Sequence, residues 1–168
     1  MNVRTSVRAR TLAIAVAAGS LIAVPLASPA SAASSASCSK VTTPPVAAGK
    51  KAAVTFAQCT PATLSAGGSA TFTSPPKGTN KGKFVFTLVW KNGKGKTLGL
   101  VTYGLAKGNG KCAKGTARIA ITGKVTGGSG AAATIVKKNE AIAGSTCAVT
   151  TGAKLGSSSL EPGTKFKL

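Results

Sequence analysis

The dipeptide Asn92-Gly93 stands between two runs of β-forming residues and predicts a hairpin over residues 82–103. Asn-Gly favours a two-residue hairpin turn because both residues tolerate the positive φ that this turn requires. With that turn, the predicted cross-strand pairs are Trp90 with Gly95, Leu88 with Thr97, Phe86 with Gly99, and Phe84 with Val101. The alternative is a four-residue turn over residues 92–95, which slides the partners by two positions and keeps the same faces.

Both faces of this hairpin are largely apolar. One face carries the side chains that we predict to lie in the core, which are Phe84, Phe86, Leu88 and Trp90, with Ile119, Ile121 and Phe166 among their neighbours. The opposite face carries Val85, Thr87, Val89, Leu98 and Leu100. Because a strand with one wet face normally alternates apolar and polar residues, two apolar faces predict a central hairpin that is covered on both sides.

The rest of the chain has the pattern of short strands separated by turns. Strands are expected at residues 52–58, 69–74, 116–126, 131–137, 142–150 and 165–168. No segment of useful length has a 3.6-residue apolar period with helix caps. Short strands with frequent turn signals are typical of sandwiches and barrels. We therefore predict an all-β fold, either an antiparallel, immunoglobulin-like β-sandwich or a small barrel.

The N-terminal segment has the pattern of a secretory signal peptide. Residues 1–32 contain three arginines, then an apolar run over residues 12–27, then an A-x-A cleavage site that ends at Ala32. A transmembrane anchor is the alternative, but the apolar run is short for a span and contains Pro25. We predict cleavage after Ala32, no membrane-spanning segment in the remaining chain, and a secreted, extracellular or cell-wall-associated protein.

The mature chain is expected to hold one domain. Residues 33–37 are all small, and residues 38–51 contain Thr-Thr-Pro-Pro and Ala-Ala-Gly, so we predict a flexible or irregular lead-in over residues 33–51. Residues 52–168 are then a single β domain, which is an ordinary size for one hydrophobic core.

The four cysteines are expected to form disulfides, since their number is even and the chain has the pattern of an exported protein. They are Cys38, Cys59, Cys112 and Cys147. Three pairings are possible, and we predict the two that are local in sequence, Cys38–Cys59 and Cys112–Cys147. No C-x-x-C spacing and no histidine are present, so a metal site is not expected.

The charge of the chain is strongly positive. There are 22 Lys+Arg residues against 2 Asp+Glu, and loss of the three arginines of residues 1–32 leaves 19 cations and a net charge of +17. A surface of this kind attracts polyanions such as anionic envelope polymers. The predicted anion-binding set consists of lysines at or beside turns, namely Lys81, Lys91, Lys94, Lys96, Lys107, Lys111 and Lys114. The alternative is dispersed charge that solubilises the protein and protects strand edges.

Sequence-specific nucleic-acid binding is not expected from this composition. Base readout usually relies on arginine and on exposed aromatic side chains. The mature chain has a single arginine, Arg118, and its aromatic residues fit the predicted core.

The sequence lacks the catalytic residue types that most hydrolases use. The chain contains no histidine and no aspartate, so a Ser-His-Asp triad cannot be assembled. Glu140 and Glu161 are the only acids, and we interpret both as turn residues, although a glycosidase pair would need them to meet in the fold. We predict no enzymatic activity, no catalytic residue and no cofactor.

Several segments together resemble a loose group of small, secreted, β-rich proteins of actinobacteria. They are the signal that ends Ala-Ser-Ala, the stretches at residues 65–72 and 122–130, and the tail Pro-Gly-Thr-Lys-Phe-Lys-Leu. That group has no assigned activity, so the resemblance implies export and a β fold but no function. The stretch Gly-Gly-Ser-Ala-Thr-Phe within residues 65–72 is also similar to strand entries of bacterial immunoglobulin-like domains, which favours a sandwich by analogy.

The expected function is that of a secreted, non-enzymatic binding or structural protein of the cell envelope or its surroundings, held by polyanions through its basic surface. The alternative is a secreted inhibitor or antimicrobial protein that acts through an exposed loop at residues 75–81 or 107–114. Exposure of Trp90 and Tyr103 in a groove would favour a ligand site, whereas their burial would leave only the charge. The sequence leaves the oligomeric state open.

Overall fold

The computed structural model describes residues 35–47, 49–73, 81–151 and 154–168, and most of the described residues lie in β-strands. The strands are β1 (Ser37–Thr43), β2 (Val46–Ala47), β3 (Lys51–Thr60), β4 (Gly68–Thr73), β5 (Lys81–Trp90), β6 (Gly95–Leu105), β7 (Thr116–Ser129), β8 (Ala141–Thr151), β9 (Lys154–Leu160) and β10 (Phe166–Lys167). A 3-10 turn (Ala62–Leu64) and one helix, α1 (Gly130–Ile135), complete the elements. The predicted signal peptide and residues 75–80 of the predicted loop lie outside the described residues.

Eight of the strands form a closed antiparallel barrel. From β3 to β9 each long strand pairs with the next along the chain, and β1 pairs with β3 on one side and β9 on the other. The short β10 bridges β1 and β8 where β1 diverges from β9. The prediction of an all-β fold is confirmed, and of its two architectures the structure has the barrel; the immunoglobulin-like sandwich is not confirmed.

The central hairpin has the register that the two-residue turn predicts. β5 and β6 pair with Trp90 opposite Gly95 and Phe86 opposite Gly99. Asn92 and Gly93 have φ values of 56° and 66°, as this turn requires. A Cβ built on Gly99 would lie 2.1 Å from the Phe86 ring, so the absence of a side chain at residue 99 is what admits that ring.

The inward-facing side of the hairpin forms the centre of the barrel core. Phe86, Leu88 and Trp90 are buried, and Phe84 packs against them while partly exposed. The indole Nε1 of Trp90 donates a hydrogen bond of 2.8 Å to Thr97 Oγ1, which satisfies its one polar atom inside the barrel. The other core residues are Ala36, Cys38, Val41, Phe56, Cys59, Leu64, Ala70, Val101, Val125, Ala132, Val136, Ile142, Phe166 and Leu168. Of the predicted neighbours, Phe166 belongs to the core, Ile121 packs against it, and Ile119 is half-buried.

Both predicted disulfide pairings are confirmed. Cys38 and Cys59 lie directly opposite each other on β1 and β3. Cys112 joins Cys147 and thereby ties the 106–115 loop, which connects β6 to β7, to the outer side of β8. No cysteine is free.

The prediction of an irregular lead-in at residues 33–51 is wrong for the part that the structure describes. β1 begins at Ser37 and contributes Cys38 and Val41 to the core. This segment has few apolar residues, and the Thr-Thr-Pro-Pro sequence at residues 42–45 favours a turn, so no strand was predicted there. Pairing with β3, β9 and β10 supplies the stability that the local sequence lacks.

The strand predicted at residues 131–137 is also wrong, since α1 occupies most of that segment. Its run of three alanines has high helix propensity, and the helix packs on β6 and β7 rather than joining the sheet. The Ala132 N–H donates to the Lys94 carbonyl at 2.8 Å, which places α1 beside the hairpin turn. Strand β9 was not predicted, because its Gly- and Ser-rich sequence has a weak β signal.

Candidate functional site

Both side-chain carboxylates of this protein are buried. Glu140 is 7% exposed and Glu161 is 4% exposed, and the sequence contains no other acidic residue. The lysines that we predicted as an anion-binding set are exposed, except for the half-buried Lys94. As a result, the ionised side chains that face solvent are all cationic.

Glu161 fastens the 106–115 loop to the barrel wall. Its Oε1 accepts the Lys111 backbone N–H at 2.9 Å, and its Oε2 accepts Arg118 Nε at 2.8 Å. Arg118 Nε also lies 3.1 Å from Ser145 Oγ, so one small polar cluster links the loop, β7 and β8. These partners lower the pKa of Glu161 to about 2, with the Lys111 N–H the largest cause, followed by Ser145 and Arg118.

We expect Glu161→Gln to flatten the acid limb of the protein's stability curve. The pKa of Glu161 is depressed in the folded state, so ionised Glu161 contributes stability that is fully present above the ordinary pKa of 4.5. That contribution is lost as the pH falls towards the folded value of about 2. Urea unfolding between pH 7 and pH 2 should show a smaller fall in the unfolding free energy for the glutamine variant than for the wild type. Parallel pH dependences would contradict the assignment.

Glu140 has a different structural partner. Its Oε2 accepts the hydroxyl of Ser35 at 2.7 Å and the Ser35 backbone N–H at 3.3 Å, which anchors the start of the described chain. Glu161 lies beside Ser145, because the backbone N–H of Glu161 donates to the Ser145 carbonyl. Ser145 follows Glu140 by five residues, which correspond to about 16 Å along a strand. Paired glycosidase carboxylates lie about 5–9.5 Å apart. The barrel does not bring these two acids into one site.

The predicted anion-binding lysines fall into groups at the two ends of the barrel. Lys91, Lys94 and Lys96 lie at or beside the hairpin turn. Lys81 begins β5 at the opposite end, and Lys107, Lys111 and Lys114 lie in the 106–115 loop. Ten residues of β5 separate the two ends by about 30 Å. The seven lysines therefore do not form one compact patch.

The outer side of the hairpin is exposed, so the prediction that both faces are covered is wrong. The exposed fractions are 68% for Val85, 45% for Val89, 38% for Leu98 and 46% for Leu100. We call these four residues the hairpin face. A closed barrel buries only the inner face of each strand unless a loop or helix crosses outside, and α1 packs beside the turn without covering these four.

Lysines border the hairpin face on three sides. Lys83 precedes Val85 by two residues on β5, and Lys96 precedes Leu98 by two residues on β6 and lies opposite Val89. Lys124 lies opposite Leu100 on β7. All three side chains are exposed, and we call them the rim lysines. On the fourth side, β4 presents the exposed hydroxyl residues Ser69 and Thr71.

Two of the rim lysines were absent from the predicted anion-binding set. Lys83 and Lys124 were left out because that set was drawn from lysines at turns, whereas these two lie within strands. Strand alternation places Lys83 on the same face as Val85, which is the signal that could have identified it. Lys124 required the β6–β7 register, which no local sequence feature reveals.

The two aromatic residues chosen to discriminate between functions are differently placed. Trp90 is buried, whereas Tyr103 is half-buried. The Tyr103 ring lies 5.9 Å from that of Phe84, which lies 5.7 Å from that of Phe72. These three rings pack together at the end of the barrel away from the hairpin turn. Trp90 is thus a core residue and cannot contact a ligand on the surface.

Within the described ranges, no cluster of three or more His, Cys, Asp or Glu residues is arranged to hold a metal ion. No helix in those ranges is long and apolar enough to cross a membrane.

The fold and surface define a small antiparallel β-barrel with two disulfides, buried acids and an exposed cationic and apolar exterior. In comparisons with known proteins, no family model, no curated protein and no solved structure matches this chain. The resemblance to small secreted proteins of actinobacteria therefore stays a prediction from the sequence.

Proposed function

We propose that this chain is a secreted, non-enzymatic binding protein that anionic polymers of the cell envelope retain near the cell. The observation that carries the proposal is the burial of both carboxylates, each bonded inside the protein. Since no exposed acidic side chain offsets the lysines, the electrostatic potential over the exterior is positive. Such a field attracts polyanions without a shaped pocket.

The distribution of lysines favours a long polyanion over a small anion. Lysines lie at both ends of the hairpin, which are about 30 Å apart, and the rim lysines Lys83 and Lys124 lie between these ends. A single phosphate or carboxylate could contact only one of these groups. A flexible chain with regularly spaced charges could follow several at once, and each additional contact would raise the avidity.

Binding to a polyanion matrix should weaken steeply with salt, because exposed charges are screened over about 8 Å at physiological ionic strength. We expect the triple variant Lys91→Gln, Lys94→Gln and Lys96→Gln to elute from a polyphosphate column at lower salt than the wild type. The matched control changes three exposed lysines in or next to β1 and β10 to glutamine: Lys40, Lys165 and Lys167. It removes the same charge and should elute closer to the wild type.

Two results would contradict the proposal. One is binding to polyphosphate or isolated cell wall that is equal at low and high salt. The other is an absence of binding at low salt. Equal elution of the two triple variants would contradict only the special role of the hairpin turn, because net charge alone would then determine retention.

The second candidate function is an inhibitor that acts through the 106–115 loop. The Cys112–Cys147 disulfide and the Lys111–Glu161 hydrogen bond hold this loop, while Lys107 and Lys114 remain exposed. A loop that is already ordered binds with a smaller entropic cost. An inhibitor of this kind should keep most of its affinity at high salt, which distinguishes it from polyanion binding in the same titration.

A further inference from the structure

We propose that the hairpin face and its rim lysines form a docking surface for a lipid bilayer that contains anionic headgroups. The face supplies four exposed aliphatic side chains on neighbouring strands, and the rim supplies three cations that border them on three sides. Apolar side chains bordered by lysines match the bilayer interface, where acyl chains lie just below anionic phosphates. This inference does not depend on the proposed polyanion function, because it rests on the aliphatic side chains.

The geometry of the sheet makes shallow insertion feasible. Val85 and Leu100 are directly opposite each other, and Leu98 lies diagonally between Val85 and Val89. Gly127, which faces Leu98 on β7, has no side chain, and a Cβ there would lie 4.0 Å from Leu98 Cδ1. Leu98 is therefore open to solvent on that side. Because the β5 and β6 backbones are paired with neighbouring strands, the face can enter a low-dielectric layer without exposing unpaired N–H groups.

The rim lysines can reach the headgroups while the aliphatic side chains go deeper. Residues two apart on one face of a strand are about 7 Å apart, so Lys83 and Lys96 stand one step from Val85 and Leu98. A lysine stem can lie along apolar groups while its ammonium group stays with water and phosphate. Each lysine near an anionic surface strengthens binding about fivefold.

Within the described ranges, no segment of the chain covers the hairpin face. Residues 74–80, which connect β4 to β5, read Ser-Pro-Pro-Lys-Gly-Thr-Asn and contain no large aliphatic side chain. The described chain begins at Ser35 beside β1, which is four strands around the barrel from β6. The composition of residues 74–80 therefore does not suit them to bury four Val and Leu side chains.

A second copy of the chain is a poor occupant for electrostatic reasons. Face-to-face stacking would bring two sets of rim lysines together, and no exposed acidic side chain is available on either copy to pair with them. Like charges in apposition disfavour such an interface. An anionic lipid surface provides the opposite charge at the rim and an apolar layer at the centre.

The test is co-sedimentation of the purified protein with vesicles of phosphatidylcholine alone or with one third phosphatidylglycerol. Intact mass defines the N-terminus, and all variants carry the same one. We expect binding to the anionic vesicles only. The double variant Leu98→Ser and Leu100→Ser should partition about tenfold more weakly, which corresponds to about 1.4 kcal/mol. Leu105→Ser is the matched control, because Leu105 is 50% exposed but lies at the end of β6, outside the hairpin face.

A second comparison tests the charges around the face. Replacing the rim lysines Lys83, Lys96 and Lys124 by glutamine should weaken vesicle binding about 100-fold, or about fivefold for each lysine. The same change at Lys107, Lys111 and Lys114 removes equal charge from a loop outside the face. It should weaken vesicle binding by about tenfold or less. The variant pair Val85→Ser and Val89→Ser supplies an independent test of the face if the leucine variant fails to fold.

The outcomes separate the two proposals. Serine variants that bind vesicles as tightly as the wild type would overturn lipid docking, whatever polyphosphate binding shows. Serine variants that bind polyphosphate as the wild type does, but bind vesicles more weakly, would support lipid docking through the hairpin face. Concentration-dependent dimerisation that Leu98→Ser and Leu100→Ser abolish, without vesicle binding by the wild type, would assign the face to a second copy and overturn lipid docking.

Discussion

Replacing Phe86 by alanine should destabilise the barrel by about 3–5 kcal/mol. Phe86 is buried at the centre of the core. Its ring fills the space that a side chain at residue 99 would otherwise take. Ile142 also reaches this space, since a Cβ on Gly99 would lie 2.7 Å from its Cδ1. Removing the ring leaves a cavity between β5 and β6 that paired backbones cannot close. Equilibrium urea unfolding followed by circular dichroism measures the loss.

The adjacent residue provides the matched control for this prediction. Val85 is on the same strand, but its side chain is on the outer face and 68% exposed. Val85→Ala should therefore change the unfolding free energy by less than about 0.5 kcal/mol. Comparable losses for the two variants would mean that inner and outer faces are wrongly assigned, and with them the hairpin face itself.

Removal of the Cys112–Cys147 disulfide by a double alanine substitution should cost about 4 kcal/mol. The two cysteines are 35 residues apart, and a cross-link of that length restricts the unfolded chain by roughly this amount in the chain-entropy model. The loss should exceed the value of about 3 kcal/mol expected for Cys38–Cys59, whose separation is 21 residues. Thermal and urea unfolding of both double variants measure the two values.

The two disulfides should also differ in what they hold. Cys38 and Cys59 join strands that are already paired in the sheet, whereas Cys112 lies in a loop on the outer side of the barrel. Loss of Cys112–Cys147 should therefore raise hydrogen exchange most in the 106–115 loop. A loss of stability below 1 kcal/mol, or unchanged exchange in that loop, would contradict this account.

Local chemistry explains why the hairpin could be predicted in detail. Asn92-Gly93 selects one turn type, and the turn determines the register of every pair on β5 and β6. Glycine opposite three of the four rings reinforces that register, since Tyr103 lies over Gly82 as Phe86 lies over Gly99. The disulfide pairs could be predicted for a related reason, because each joins cysteines that are near in sequence.

Closure of the barrel could not be predicted from the sequence. It depends on pairing between β1 and β9, which are near opposite ends of the described chain, and neither strand has a strong local signal. Both strands are short and weakly apolar, so tertiary pairing rather than propensity places them in the sheet. The same limitation produced the wrong prediction for residues 131–137, where α1 packs outside the sheet.

The candidate site was predicted only in its components. The excess of lysine was evident from composition, but the arrangement of the rim lysines depends on neighbouring strands. The apolar outer side of the hairpin was recognised, and it was assigned to burial because apolar residues are usually buried. The sequences around Glu140 and Glu161 are typical of turns. Their partners Ser35 and Lys111 are far away along the chain, so these contacts could not be predicted from the local sequence.

The composition of the titratable groups would make the proposed attachment constitutive rather than switchable. The protein has no histidine, and every cysteine is in a disulfide, so no side chain has an ordinary pKa between pH 5 and 8. Both glutamates are withdrawn from the surface. Acidification of the medium across this range therefore changes the charge of no exterior side chain. On the proposed function, the protein would stay attached through such shifts of environmental pH, and a rise in salt would release it.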